Sequence, residues 1–476
     1  MCGFVGITGL QDAAAATSLA LQAVQHRGQD AAGIGVWNDG YVRVHKDEGM
    51  VAVAIPPQVL AELEGTSAIG HVRYPTAGTG TRLDAQPFMT RRPTMILAHN
   101  GNVTNVPEIE ARLKRRGISL TSRCDAEPIL AVLGDELLKI RPVGFTEEDV
   151  VEAVAATHRR VRGAYSVVAI LEVAGRETMV AFRDPHSIRP GVYGQGPDGA
   201  WAAVSETVSL DVLGFTRKGD IPPGCVMFFR RGEEPVTREV TPRPVHHCIF
   251  EDIYFARPDS VMEGKRVNAQ RWSLGERLAD EWKAKGFEAD VVVAVPDTSR
   301  PAAKAMAERL GIKNREGFIK NRYSGRTFIM PNQKAREAAH RLKLNPISEV
   351  FEGQRVVIVD DSIVRGTTMR RIVQMVQALK PKAVHVAIFS PAVRHPCFYG
   401  IDMPSEQELV AAQHSPEVLE AALAKRFGAD SVTFLSTPGL GQVAGRNICD
   451  ACFTGRYPVP VSASEKQHIE TDRRGA

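Results

Sequence analysis

Short apolar runs with the two-residue rhythm of strands dominate the first half of the chain. Segments 166–170, 178–182 and 201–204 are of this kind, with polar or glycine residues around them. Helical periodicity is confined to a few stretches, among them 106–116 and 126–139. The pattern predicts a layered α+β domain. Between 230 and 247 the chain is polar and broken by proline, so a linker is expected there, with a domain boundary near residue 240. Farther on, apolar strands at 290–294, 355–359 and 383–389 alternate with amphipathic helices, which predicts an α/β unit built on a parallel sheet. Ligands of such sheets sit at the carboxyl ends of the strands. The tail from Ser462 is polar enough to fray and carries no readable function.

Length agrees with two domains, since 476 residues exceed the roughly 250–300 at which single cores stop growing. An excess of 59 basic over 55 acidic residues is too small to imply nucleic-acid binding. No apolar run reaches the ~18–20 residues of a membrane span, so no membrane partner is expected and the cytoplasm is the expected location. The seven cysteines, at 2, 124, 225, 248, 397, 449 and 452, are odd in number and scattered. Such a set suits metal ligation or catalysis better than a disulfide framework.

Cys2 follows the initiator Met1, and removal of that residue would leave a cysteine with a free α-amino group. Nucleophile and base then share one residue, because an α-amine with a pKa of about 7.7–8.0 can accept the thiol proton. The surrounding segments are Met1 to Ile7, His26-Arg-Gly-Gln-Asp-Ala-Ala-Gly33, Gly70-His-Val-Arg-Tyr-Pro-Thr76 and His99-Asn-Gly-Asn102. Over residues 2–235 they resemble the amino-terminal-nucleophile (class II) glutamine amidotransferases. The resemblance implies that Asn100 and Gly101 bind the oxyanion, that Arg73 binds the α-carboxylate of glutamine and that Asp125 binds its ammonium. Arg27 and Gly28 are expected to shape the pocket. One departure is the stretch Arg123-Cys-Asp-Ala-Glu127, where small hydroxyl residues usually flank the aspartate.

The strongest single motif runs from Val356 to Thr368, an apolar strand ending in Asp360 and Asp361 and followed by Ser-Ile-Val-Arg365-Gly366-Thr367-Thr368. Paired acids at a strand end can bond ribose hydroxyls or organise Mg²⁺. The loop, leading into a helix expected to begin near Thr368, offers N–H groups and hydroxyls to a phosphate. The motif resembles the phosphoribosyl pyrophosphate site of type I phosphoribosyltransferases. Ser299, in Val295-Pro-Asp-Thr-Ser-Arg-Pro301, matches a contributor to the Mg²⁺ site, and a cationic stretch with Arg322, Tyr323 and Arg326 reads as a lid over the substrate.

A class II glutaminase followed by a type I phosphoribosyltransferase narrows the resemblance to the amidophosphoribosyltransferases. It implies an α+β glutaminase domain (layered αββα) at 2–240, an α/β phosphoribosyltransferase domain at 241–440 and a carboxyl-terminal segment at 441–476. It also implies glutamine and phosphoribosyl pyrophosphate as substrates, purine nucleotides as feedback inhibitors and a homo-oligomer, a tetramer by resemblance. Two alternatives are a paralogue serving a specialised nucleoside pathway and a non-catalytic binding regulator; the intact Cys2, Asn100 and Arg73 argue against the second. Cys449 and Cys452 have the spacing of a metal or redox pair, which Cys248 and Cys397 could complete as structural zinc or a 4Fe–4S cluster. The resemblance favours the cluster. His246, His247 and His395 are read as surface histidines. Smaller departures are Ser187, where glycine is usual, and His340, where an aliphatic residue is usual.

Overall fold

A computed structural model of the chain describes residues 2–74, 81–321 and 344–474. Two antiparallel sheets form the first half. One has seven strands in the order Thr216–Asp220, Val192–Gln195, Trp201–Val204, Gly3–Thr8, Ser67–Arg73, Ala31–Asn38 and Tyr41–Glu48. The other has six, in the order Val236–Glu239, Cys225–Phe229, Arg176–Arg183, Gly163–Val173, Thr94–Val103 and Phe88–Arg91. Their inner faces meet through Phe4, Ile69, Ile96, Ala98, Val168 and Ile170. The sheets approach so closely that a Cβ on Gly6 would lie 2.4 Å from Val168 Cγ2.

Each outer face is covered by helices, as the alternation of strand side chains requires. Helix Ala13–Ala23 packs Ala20 and Leu21 against Val5 and Ile7. On the other side, helices Ala126–Ile140 and Glu147–Arg160 bury Ile129, Leu133, Val150 and Val154 with Val167 and Phe182. The result is the expected αββα layering.

The second half is built on a five-stranded parallel sheet in the order Lys313–Asn314, Val291–Ala294, Arg355–Asp360, Ala383–Ile388 and Ser431–Phe434. Alternate residues of Arg355–Asp360 serve opposite faces. Val357 and Val359 pack with Leu278 and Met306, whereas Val356 and Ile358 pack with Ile372 and Val376. Asp360 is thereby carried to the carboxyl edge of the sheet.

Three expectations are corrected. The middle of the expected linker is the strand Val236–Glu239, which pairs with Cys225–Phe229; an edge strand bonded on one side tolerates polar residues. Over its described residues the tail is docked: Ala463–Arg474 is a helix, Glu465 pairs with Arg162 of the first domain at 2.9 Å, and Ile469 is buried. His247 is not a surface residue; it is buried and meets Asp252 at 3.2 Å.

Candidate functional site

Gly3 is paired with Val72, so Cys2 lies beside the end of the neighbouring strand, where its thiol donates to the Tyr74 carbonyl at 3.6 Å. Thr94–Val103, in the other sheet, brings up Asn100 and Gly101. Both polar atoms of the Asn100 amide are buried, with no hydrogen-bond partner among the described residues. An unsatisfied buried donor costs about 1–3 kcal/mol, which an oxyanion accepting from the Asn100 Nδ2–H would remove. Gly101 admits no side chain, because a Cβ would lie 2.0 Å from the Ala164 carbonyl oxygen.

Arg73 is buried on the same side, its guanidinium 3.7 Å from the Asp84 carboxylate. Gly28 is packed on the Arg73 backbone, where a Cβ would come within 2.5 Å of the carbonyl carbon. Asp125 accepts from the Val103 N–H at 2.9 Å and contacts His99 Nε2 at 3.3 Å. Burial works against its charge, but His99 and these hydrogen bonds hold its carboxyl below the ordinary value. Gln86 in turn accepts from the His99 N–H at 2.7 Å. Sequence reading assigned no role to Asp84, Gln86 or His99, since only the fold gathers them.

Arg27 has a second role besides the one expected. Its stem packs against Gly3, beside Cys2, but its guanidinium is spent on Glu206 at 2.5 Å and Glu251 at 2.9 Å, with no exposure on any of the three side chains. Glu251 belongs to the second half of the chain, so Arg27 fastens the two halves together.

At the parallel sheet, the Ser299 hydroxyl donates to Asp360 at 3.2 Å, and the Thr298 and Ser362 hydroxyls donate to Asp361 at 2.5 and 2.6 Å. Burial raises both carboxyls, and for Asp360 the adjacent Asp361 adds to the effect. Gly366 takes a left-handed φ of 75° and opens the helix Thr367–Gln377, leaving the loop N–H groups and the Thr367 and Thr368 hydroxyls at its amino terminus. Arg365, half-exposed, pairs with Glu408 at 3.1 Å. Arg322, Tyr323 and Arg326 lie outside the described residues.

Two raised carboxylates beside a hydroxyl suit a hard divalent cation that completes its shell with substrate phosphate oxygens. Among the described residues, no group of three or more ligating side chains closes on a metal ion.

The four cysteines of the expected cluster are all buried in the second half, without closing on a metal ion as a group among the described residues. Cys248 and Cys449 are register partners in a short parallel pair, and Cys397 and Cys452 lie in the same buried cluster. Burial raises Cys248, Cys449 and Cys452, Cys248 to about 12, and charge on neighbouring cysteines raises them further. A cationic centre binding thiolates would reverse both effects.

A cavity of about 780 Å³ lies at the carboxyl edge of the parallel sheet, where the two halves meet. His26 and Tyr74 line it from the first domain, Asp360 to Met369 line it from the second, and Phe255, Ile401 and Met403 give it an apolar wall. Arg271 reaches it from helix Val267–Ala284, a contribution that no motif announced.

Residues 72–212 match the family model for the glutamine amidotransferase domain, and residues 268–396 match that for the phosphoribosyl transferase domain. The chain is 44% identical to an amidophosphoribosyltransferase of Pseudomonas aeruginosa, covering all of this chain and 97% of that protein. It is 42% identical to one of Escherichia coli, over 91% of this chain and 86% of that protein. Among solved structures, a Bacillus subtilis glutamine phosphoribosylpyrophosphate amidotransferase complexed with ADP and GMP superposes with a TM-score of 0.86 at 37% identity, covering 97% of this chain and 98% of that one. No helix among the described residues is long and apolar enough to cross a membrane.

Proposed function

Because the chain belongs to the amidophosphoribosyltransferase family, we infer that it makes 5-phosphoribosylamine, glutamate and pyrophosphate from glutamine, phosphoribosyl pyrophosphate and water, the first committed step of purine synthesis. The observation that carries this reading is the single cavity shared by Tyr74, which holds the Cys2 thiol, and the Asp360–Asp361 pair.

Cys2 Sγ attacks the amide carbon of glutamine while the α-amine of Cys2 takes the thiol proton and passes it to the departing nitrogen. The Asn100 amide and the Gly101 N–H receive the oxyanion. Arg73 faces the α-carboxylate and Asp125 the ammonium, Gly28 keeps the Arg73 backbone close, and Arg27 holds the floor of the pocket. Ammonia leaves, and water hydrolyses the thioester to glutamate. Ammonia passes internally between the two centres, since in bulk water it would become the non-nucleophilic ammonium ion. At the second centre ammonia attacks C1 of the ribose and pyrophosphate departs.

Asp360 and Asp361 bind ribose hydroxyls there, and the loop from Arg365 to Thr368 holds the 5′-phosphate. Arg322, Tyr323 and Arg326 supply the lid. Ser299, Asp360 and Asp361 would hold Mg²⁺, which when bound neutralises pyrophosphate charge. Cys248, Cys397, Cys449 and Cys452 would hold a 4Fe–4S cluster that fastens the carboxyl-terminal segment to the second domain. Purine nucleotides act as feedback ligands, the assembly is a homotetramer and the enzyme works in the cytoplasm.

A glutaminase assay with and without phosphoribosyl pyrophosphate tests this reading. Stimulation by the sugar phosphate is expected, and Asp361→Asn should impair both glutamine-dependent and ammonia-dependent synthesis. A glutaminase indifferent to the sugar phosphate, with synthesis intact in Asp361→Asn, would refute it.

A further inference from the structure

Consecutive residues at the end of the strand Thr94–Val103 have separate duties. Asn100 presents its unpartnered amide, and Val103 donates its N–H to Asp125 at 2.9 Å. Asn102, between them in the chain and buried, donates its side-chain amide to the Phe398 carbonyl of the second domain at 2.9 Å. Two residues beyond Phe398, Gly400 has a φ of 105° and lies on Gly101 so closely that a Cβ would be 3.0 Å from the Gly101 carbonyl carbon and oxygen. The other side of Gly101 is bounded by the Ala164 carbonyl. The Gly101 peptide is therefore clamped between its own sheet and a segment from the far half of the chain.

A side-chain donor can re-aim by changing rotamer, whereas a backbone N–H turns only if its flanking peptides turn. Resting on the oxyanion role given above to Asn100 and Gly101, we infer that Asn102 and Gly400 are positioning residues for the glutaminase. The second domain, through its segment 397–400, holds the peptide that follows Gly101, and with it the Gly101 N–H in its reactive orientation. The Asn102 pin resists release, because breaking it strands a buried amide.

The test compares Asn102→Ala, Gly400→Ala and Asn100→Ala in the full chain, measuring kcat and KM for glutamine together with ammonia-dependent synthesis. Misplacing a reacting group by about 1 Å can cost ~100-fold, so Asn102→Ala and Gly400→Ala should lower the glutamine-dependent kcat about tenfold to hundredfold. The KM for glutamine and ammonia-dependent synthesis should hold. Should Gly400→Ala misfold and lose both activities, Asn102→Ala decides the matter. Unchanged kcat in Asn102→Ala, equal loss of its two activities, or a rise in KM alone overturns the inference. Full glutaminase activity in Asn100→Ala would instead remove the oxyanion assignment on which it rests.

Discussion

The Tyr74 hydroxyl donates to the Asp402 carboxylate at 2.9 Å, while the Tyr74 carbonyl accepts the thiol of Cys2. One residue thus touches the nucleophile through its backbone and the second domain through its side chain. Asn102 on Phe398 and Arg27 on Glu251 also fasten the halves together near the glutaminase centre.

Asn100 is the cleanest probe of oxyanion binding, since its amide has no other partner among the described residues. Asn100→Ala should lower the glutamine-dependent kcat by about 10²–10³-fold with a smaller effect on KM, as loss of one oxyanion donor does elsewhere. Steady-state kinetics with glutamine check this; a change confined to KM would assign Asn100 to substrate binding.

The buried Glu206 should dominate the acid sensitivity of the domain junction. Burial alone would raise its carboxyl, but Arg27 and then His26 overcome that and hold it far below the ordinary 4.5. A carboxyl lowered in the folded state stabilises above its unfolded value, and that contribution is lost as pH falls through the folded value. Glu206→Gln leaves the Arg27 charge short of a partner, and breaking a buried pair costs about 3–5 kcal/mol. Denaturant unfolding at a series of pH values should show this loss at pH 7, and a shallower decline for the variant than for the parent below 4.5. Parallel pH profiles would contradict the assignment.

Purification without oxygen, followed by metal analysis, should give a coloured protein with about four irons and four sulfides per chain, bound by the four cysteines. Cys452→Ser should lose colour and lower thermal stability. A colourless protein with one zinc per chain would replace the cluster with a structural zinc site.

Local chemistry was legible in the sequence, and distant partnerships were not. Asp360, Asp361 and Gly366 stand within seven residues and announce a strand end and a phosphate loop by their order alone. The alternating strands also announced the parallel sheet. Arg27 sits in an equally readable segment, yet Glu251, which fixes its guanidinium, is 224 residues away. The polar tail became a docked helix for the same reason, because Glu465 finds Arg162 at a separation of 303. Ser187, noted only as a departure from glycine, turns out to occupy a left-handed φ of 50°, the conformation that glycine adopts without strain.

The most direct measurement compares glutamine-dependent and ammonia-dependent phosphoribosylamine synthesis in Cys2→Ala. With nitrogen freed at Cys2 and used at a separate centre, the glutamine-dependent rate should vanish while the ammonia-dependent rate stays near that of the parent. Loss of both rates together, or survival of the glutamine-dependent one, would contradict the division of labour between the two centres.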